Sequence, residues 1–305
     1  MFKIHCLNNI SKVGLDVLSS DYEICENIED ADAILVRSAD MHDMEFSDHL
    51  KCVARAGAGV NNIPLDVLKE KGIPVFNTPG ANANAVKELV IAGLLLSSRD
   101  VIGGNAWVKE NAADENVSKS AEKAKKAFAG GEIAGKTLGI IGLGAIGRLV
   151  CKACEALSMK VVGYDPFLDA EAAKKISDAL EFTADLNDIY HNCDYITIHV
   201  PANADTKGMI DSKAIDAVKD GVKFLNFSRD TLVNDADMAD ALSTGKVAKY
   251  VTDFANPAVV KMQNAIVLPH LGASTAEAED NCAKMACESV MAYLERGEKI
   301  HCVNV

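Results

Sequence analysis

Three residues of this chain have the types and spacing for acid–base chemistry on an anionic substrate: Arg229, Asp253 and His270. Each follows a short apolar run. Lys223–Asn226 leads to Phe227-Ser228-Arg229, Tyr250–Thr252 leads to Asp253, and Ile266–Leu268 leads to Pro269-His270. An imidazole titrates near neutrality and can take the proton of an alcohol as a hydride leaves the same carbon. A planar guanidinium fixes a neighbouring carboxylate through two parallel hydrogen bonds. Singly, each has a simpler reading: a surface charge, a helix cap, a packed histidine. Together, at successive strand ends, they favour a catalytic set with Arg229 and His270 as its reacting pair. His199 also closes an apolar run, before Val200-Pro201, and is read as packing or orienting its loop.

A partner for such chemistry is indicated earlier in the chain. The turn Gly142-Leu143-Gly144-Ala145-Ile146-Gly147 sits between a buried-strand pattern, Lys136–Ile141, and a helical pattern, Ile146–Met159. Glycines there permit a tight turn and bring a pyrophosphate close to a helix N-terminus. Asp165 ends the next apolar run, 18 residues beyond Gly147. A carboxylate at that place accepts from both ribose hydroxyls and repels a 2′-phosphate. Pro166 and Phe167 follow it rather than a cation, so NAD is favoured over NADP.

The elements that must position these residues form two alternating units. In the first hundred residues, candidate strands are Lys3–Leu7, Tyr22–Cys25, Ala33–Val36, Cys52–Ala54 and Pro74–Phe76, with helical patterns at Pro64–Lys71 and Asn84–Arg99. Such alternation predicts a parallel sheet covered by helices. A charged helical connector, 105–128, carries the single tryptophan, Trp107, read as a packing residue. From Gly135 a second series begins: Thr137–Ile141, Lys160–Tyr164, Tyr195–His199, Lys223–Asn226, Tyr250–Thr252 and Ile266–Leu268. Six strands with intervening helices predict a doubly wound nucleotide-binding sheet. A long amphipathic helix, Thr275–Glu295, follows. The first unit has strand-end cations of its own, Arg37 after Ala33–Val36 and Arg55-Ala56-Gly57 after Cys52–Ala54. Two arginines suggest a phosphate beyond the carboxylate. The alternative is a surface salt bridge, weightier for Arg37 than for Arg55.

Bulk composition bounds the partners. The chain has 305 residues, 49% apolar and 25% charged, with a net charge of −13. That charge argues against nucleic acid as the main partner. Nine scattered cysteines fit a reduced compartment. Cys151 and Cys154 form a C-x-x-C pair on the helix after the glycine turn, without a second pair, so no metal site is expected. No signal peptide is apparent at Met1–His5, and the longest apolar run, Leu89–Leu96, is too short for a membrane span. A soluble cytoplasmic protein is expected.

The chain resembles the D-isomer-specific 2-hydroxyacid dehydrogenases along essentially its whole length. The likeness rests on Arg55-Ala56-Gly57-Ala58-Gly59-Val60-Asn61-Asn62, Asn77-Thr78-Pro79-Gly80-Ala81-Asn82, the glycine turn, Asn226-Phe227-Ser228-Arg229, and Pro269-His270-Leu271-Gly272-Ala273-Ser274-Thr275. The last piece is characteristic of the phosphoglycerate branch. The resemblance implies an α/β fold in which a Rossmann-type doubly wound parallel sheet, 99–274, is inserted into a smaller flavodoxin-like substrate domain, 1–98 and 275–305. It implies His270 as general acid–base and Arg229 as carboxylate clamp. It implies that NAD is held by Gly142, Gly144, Ala145, Ile146, Gly147 and Asp165, lined by Thr78, Val200, Phe227, Ser228, Gly272 and Ala273, with Asp253 on the nicotinamide carboxamide. Arg55 with Gly57, and Arg37, would meet the substrate phosphate. The implied reaction is oxidation of D-3-phosphoglycerate to 3-phosphohydroxypyruvate, the entry to serine synthesis, in a homodimer formed through 99–128. Other D-2-hydroxy acids (glycerate, hydroxypyruvate, lactate) and a non-catalytic NAD sensor are the alternatives.

Two departures stand out. The family's histidine-paired glutamate is missing: Asn256 or Ala258 stands there, with Glu277 and Glu279 as weak substitutes. The activity in the reducing direction is therefore expected to fall off at lower pH than in relatives that carry it. The chain also stops at Val305, so feedback through a C-terminal regulatory domain is not expected.

Overall fold

The computed structural model describes residues 1–305. They divide into two compact units, Met1–Ala85 with Ala273–Val305, and Val86–Gly272.

The first unit holds a five-stranded sheet, β1 (Phe2–Cys6), β2 (Tyr22–Cys25), β3 (Ala33–Val36), β4 (Cys52–Arg55) and β5 (Val75–Phe76). Its order is β2-β1-β3-β4-β5 and every pair is parallel, the flavodoxin arrangement. The central strand β3 is buried at every residue, as a parallel strand covered on both faces must be. Its side chains alternate between two cores. Ala33 and Leu35 pack with Cys282, Ala283, Ala286 and Val290 of the helix Ala276–Arg296. Ile34 and Val36 pack with Val53, Leu68 and Val75.

The second unit holds seven parallel strands: β6 (Thr137–Ile141), β7 (Lys160–Tyr164), β8 (Glu181–Thr183), β9 (Tyr195–Ile198), β10 (Val222–Asn226), β11 (Val247–Thr252) and β12 (Ala265–Val267). The order β12-β11-β10-β9-β6-β7-β8 is the doubly wound pattern, with its switch point between β6 and β9. The sequence series gave six of these. The seventh, β8, is a three-residue edge strand with no buried residue, so it carries no apolar run.

The helix Ala83–Ser98 explains why the units divide at 85/86, whereas the sequence placed its boundary at 98/99. Val86, Val90 and Leu94 enter the core that holds Leu138, Ile140 and Leu225. The connector forms two helices, Val101–Glu110 and Val117–Ala124, and a 3-10 turn, Lys125–Phe128, rather than one helix. Trp107 packs there against Phe128, with ring centroids 6.4 Å apart. No helix is long and apolar enough to cross a membrane.

Candidate functional site

Strand register assembles the site. Ile141 pairs with Tyr164 and with Ile198, Ile198 with Asn226, Asn226 with Thr252, and Thr252 with Val267. These residues form one row across the carboxyl edge of the sheet. Whatever follows them emerges at that edge: Gly142, Asp165, His199, Phe227 to Arg229, Asp253, and the loop to His270. Backbone bonds stitch the edge together. Gly142 N–H donates to Tyr164 O at 2.8 Å, His199 N–H to Ile141 O at 2.7 Å, and Asp253 N–H to Asn226 O at 3.2 Å.

The glycine turn has the shape for a dinucleotide. Gly142 adopts φ +96°, and a Cβ on it would lie 2.6 Å from His199 O. A Cβ on Gly147 would lie 2.0 Å from Gly142 O, so only glycine lets the helix Ala145–Ala156 start so close to the strand. Gly144 caps that helix without a side-chain bond, and the first turn holds no acid. Its N–H groups and positive dipole end can therefore receive an anion. The Leu143 peptide is clamped on both sides: its N–H donates to Asp165 Oδ2 at 2.9 Å, and its carbonyl accepts from Arg148 Nε at 2.8 Å. Asp165 Oδ1 accepts from Phe167 N–H at 2.9 Å, which leaves each carboxylate oxygen capacity for a ribose hydroxyl. The residues present thus fit NAD: the Ala145 and Ile146 end of the helix for pyrophosphate, and Asp165 for ribose.

The loop carrying Arg229 is shaped by Asn226, fully buried at the end of β10. Its Oδ1 accepts from Ser228 N–H at 3.2 Å, and its Nδ2 donates to Arg229 O at 2.8 Å. Ser228 Oγ donates to Val200 O at 2.5 Å, joining this loop to the one after β9. Phe227 is buried below, against the Ala83–Ser98 helix at Gly93. Arg229 is half-buried and has no carboxylate partner; its guanidinium donates from Nη1 to Ser228 O at 2.6 Å. The sequence reading missed Asn226, although an amide closing an apolar strand was the available signal.

Asp253 is 1% exposed, and its carboxylate is engaged in a way the sequence did not show. Oδ1 accepts from Leu271 N–H at 2.7 Å and Oδ2 from Gly272 N–H at 2.6 Å. Its carbonyl accepts from His270 N–H at 3.0 Å. His270, at φ +57°, is left-handed and exposed, and its ring meets Phe254 edge-on at 5.2 Å. Asp253 therefore fastens the strained turn that presents the imidazole.

The strand-end residues of the first unit lie apart from this set in the chain. Arg37, Arg55, Gly57, Thr78 and Ala273 belong to the first unit. Arg37 Nη2 pairs with Glu279 Oε1 at 2.7 Å, and Arg55 Nε donates to Arg37 O at 3.1 Å. Thr78 is fully buried. Asn256 spends its polar atoms locally: Oδ1 accepts from the N–H groups of Ala258 and Val259, and Nδ2 donates to Asp235 at 2.8 Å. Glu279 is committed to Arg37. Cys151 and Cys154 are buried, burial pushes each thiol up to about 12, and no His, Cys, Asp and Glu cluster could hold a metal.

His199 packs, with Nε2 3.0 Å from Thr197 Oγ1 and a buried, unpartnered Nδ1. Burial holds its pKa down at about 3, from an ordinary 6.5. The unfolded chain takes up this proton below about 6.5, the folded chain only near 3. Stability from the neutral ring is therefore complete above 6.5 and is lost as pH falls toward 3, with a slope of up to about 1.4 kcal/mol per pH unit. Urea unfolding between pH 7 and pH 4 should show a shallower acid loss in His199→Gln than in the parent; equal slopes would refute this.

The family described as "D-isomer specific 2-hydroxyacid dehydrogenase, NAD binding domain" matches residues 91–272. The chain belongs to that family, and its second unit is the family's NAD-binding domain. Among curated relatives, the D-3-phosphoglycerate dehydrogenase of Mycobacterium tuberculosis is 36% identical over 272 residues, 86% of this chain and 49% of that protein. The chain spans about half the length of such relatives. The hydroxypyruvate reductase of Thermotoga maritima is 34% identical over 285 residues, 88% of each chain. The NAD+-bound 3-phosphoglycerate dehydrogenase of Entamoeba histolytica superposes with a TM-score of 0.80 over 100% of this chain and 99% of that one. At 24% identity that likeness speaks to the fold.

Proposed function

We propose that the chain oxidises D-3-phosphoglycerate to 3-phosphohydroxypyruvate with NAD, and catalyses the reverse reduction. The observation that carries this reading is Arg229: a half-buried guanidinium without a carboxylate partner, in a chain of net charge −13, at the sheet edge that also presents His270. An unpaired cation there suits a substrate carboxylate. NAD, when bound, supplies the hydride acceptor. Arg229 holds the carboxylate and polarises the reacting oxygen. His270 takes the hydroxyl proton in oxidation and returns it in reduction. Arg37 and Arg55, at adjacent strand ends of the first unit, meet the phosphate. The relatives named D-3-phosphoglycerate dehydrogenase support the substrate assignment.

The test is turnover of 3-phosphohydroxypyruvate and of hydroxypyruvate with NADH. Arg55→Ala is expected to weaken the phosphorylated substrate by about 2 kcal/mol, the scale of a charged hydrogen bond, and to spare hydroxypyruvate. An equal loss on both substrates would argue against phosphate recognition. It would favour the second reading, a hydroxypyruvate reductase, which the Thermotoga maritima relative also supports. The helices Val101–Glu110 and Val117–Ala124 bury none of their residues and expose Val101, Ile102 and Val108, which supports a homodimer through 99–128. Such a protein sediments at twice the mass of one chain.

A further inference from the structure

The two arginines of the first unit are not equivalent. Arg55 ends β4 in register with Val36, so Arg37 emerges one residue further along the neighbouring strand, at the same edge. Asn8 fixes the Arg37 backbone: its Oδ1 accepts from the N–H groups of Arg37, Ser38 and Ala39 at 2.9 to 3.0 Å. Arg55 is held by its own turn. Nε donates to Arg37 O, and the guanidinium lies so close over Gly57 that a Cβ there would sit 2.3 Å from Nη1. The Arg37 side chain, however, ends on Glu279 at 2.7 Å, with both partners still partly open to solvent at 36% and 41%.

Glu279 is itself well anchored. It lies in the first turn of the helix Ala276–Arg296, which Thr275 caps by accepting from Ala278 N–H at 3.1 Å. The next residue, Asp280, accepts from Ser11 Oγ. An acid in a first helical turn is favoured by the helix dipole whether or not it has a partner. Glu279 therefore needs Arg37 less than an isolated carboxylate would, and the pair can separate when a stronger anion arrives.

We propose that Glu279 is a built-in counter-ion that competes with the substrate's distal anionic group for Arg37, and so sets how strongly the chain prefers a phosphorylated substrate. This rests on the assignment of Arg37 and Arg55 to the phosphate. With Glu279 paired to Arg37, the two arginines present a reduced positive charge. An incoming phosphate must displace the carboxylate to reach the charge of Arg37. A substrate without the distal phosphate has nothing to displace.

The experiment compares 3-phosphoglycerate with glycerate in the full chain carrying Glu279→Gln, Arg37→Ala or both, with melting temperatures confirming that each is folded. Glutamine keeps the shape of Glu279 and removes its charge. The expected result is that Glu279→Gln raises the preference for 3-phosphoglycerate over glycerate, read as a ratio of KM values, by about threefold, the scale of a partly exposed ion pair. In the Arg37→Ala background the same substitution should change that ratio little, because the cation it competes for is gone. A fall in the ratio on Glu279→Gln, as for Arg37→Ala, would show that Glu279 only props Arg37 in place and would overturn the proposal, as would no change. Failure of the underlying assignment looks different: Arg37→Ala and Arg55→Ala would then leave the ratio unaltered. If Glu279→Gln unfolds the chain, Glu279→Ala carries the same comparison.

Discussion

His270→Asn is expected to reduce kcat/KM by 10²- to 10⁴-fold, the range supplied by a positioned acid–base group, while NAD affinity measured by fluorescence titration stays within a few-fold. Asparagine is the informative replacement because position 270 is left-handed, at φ +57°, a conformation asparagine tolerates far better than alanine does. The turn and its bond from position 270 N–H to Asp253 O can then survive, so the loss reports on the imidazole. Phe254 loses its edge-on contact with the ring, which costs little at an exposed position. A variant with near-parental turnover would remove His270 as the acid–base group.

That His270 could be singled out from sequence has a physical cause, as has what was missed. Parallel strands covered on both faces must be apolar throughout, so β6, β9, β10 and β11 appear as runs whose ends can be located within a residue or two. Since the strand ends share one register row, reading past each run placed Asp165, Arg229, Asp253 and His270 at one sheet edge. The glycine turn was legible because a Cβ on Gly142 or Gly147 would lie only 2.0 to 2.6 Å from a backbone oxygen, which excludes any side chain. Side-chain bonds between residues far apart in the chain leave no such trace. Asp253 reaching Leu271 and Gly272, and Glu279 reaching Arg37, depend on tertiary geometry. The 85/86 division was hidden for a related reason: the pattern 84–99 marks an apolar helix but does not say which core receives Val86 and Val90.

Asp253→Asn should be nearly as damaging as loss of His270, by a different route. The parent carboxylate receives two N–H donors, from Leu271 at 2.7 Å and Gly272 at 2.6 Å, in a place 1% exposed. An amide has one oxygen. Whichever way it is turned, one of these N–H groups faces an NH2 at a distance where donor meets donor, and water cannot easily reach to compensate. The cost is about 2 kcal/mol, the scale of a charge-assisted bond lost with its partner left buried. For a unit of this size that lowers the melting temperature by roughly 4–8 °C. The larger effect is functional. A left-handed non-glycine residue such as His270 persists only where its surroundings over-determine it, and Asp253 supplies three of the bonds that do so. With one gone and another strained, the imidazole is no longer held in one place, and kcat at saturating NAD should fall by about 100-fold, as misplacement of a reacting group does. The competing expectation, that this carboxylate serves the nicotinamide carboxamide alone, predicts a raised KM for NAD with kcat preserved. Initial rates at saturating NAD decide between them: a preserved kcat would remove Asp253 from the support of His270 and leave it with the cofactor.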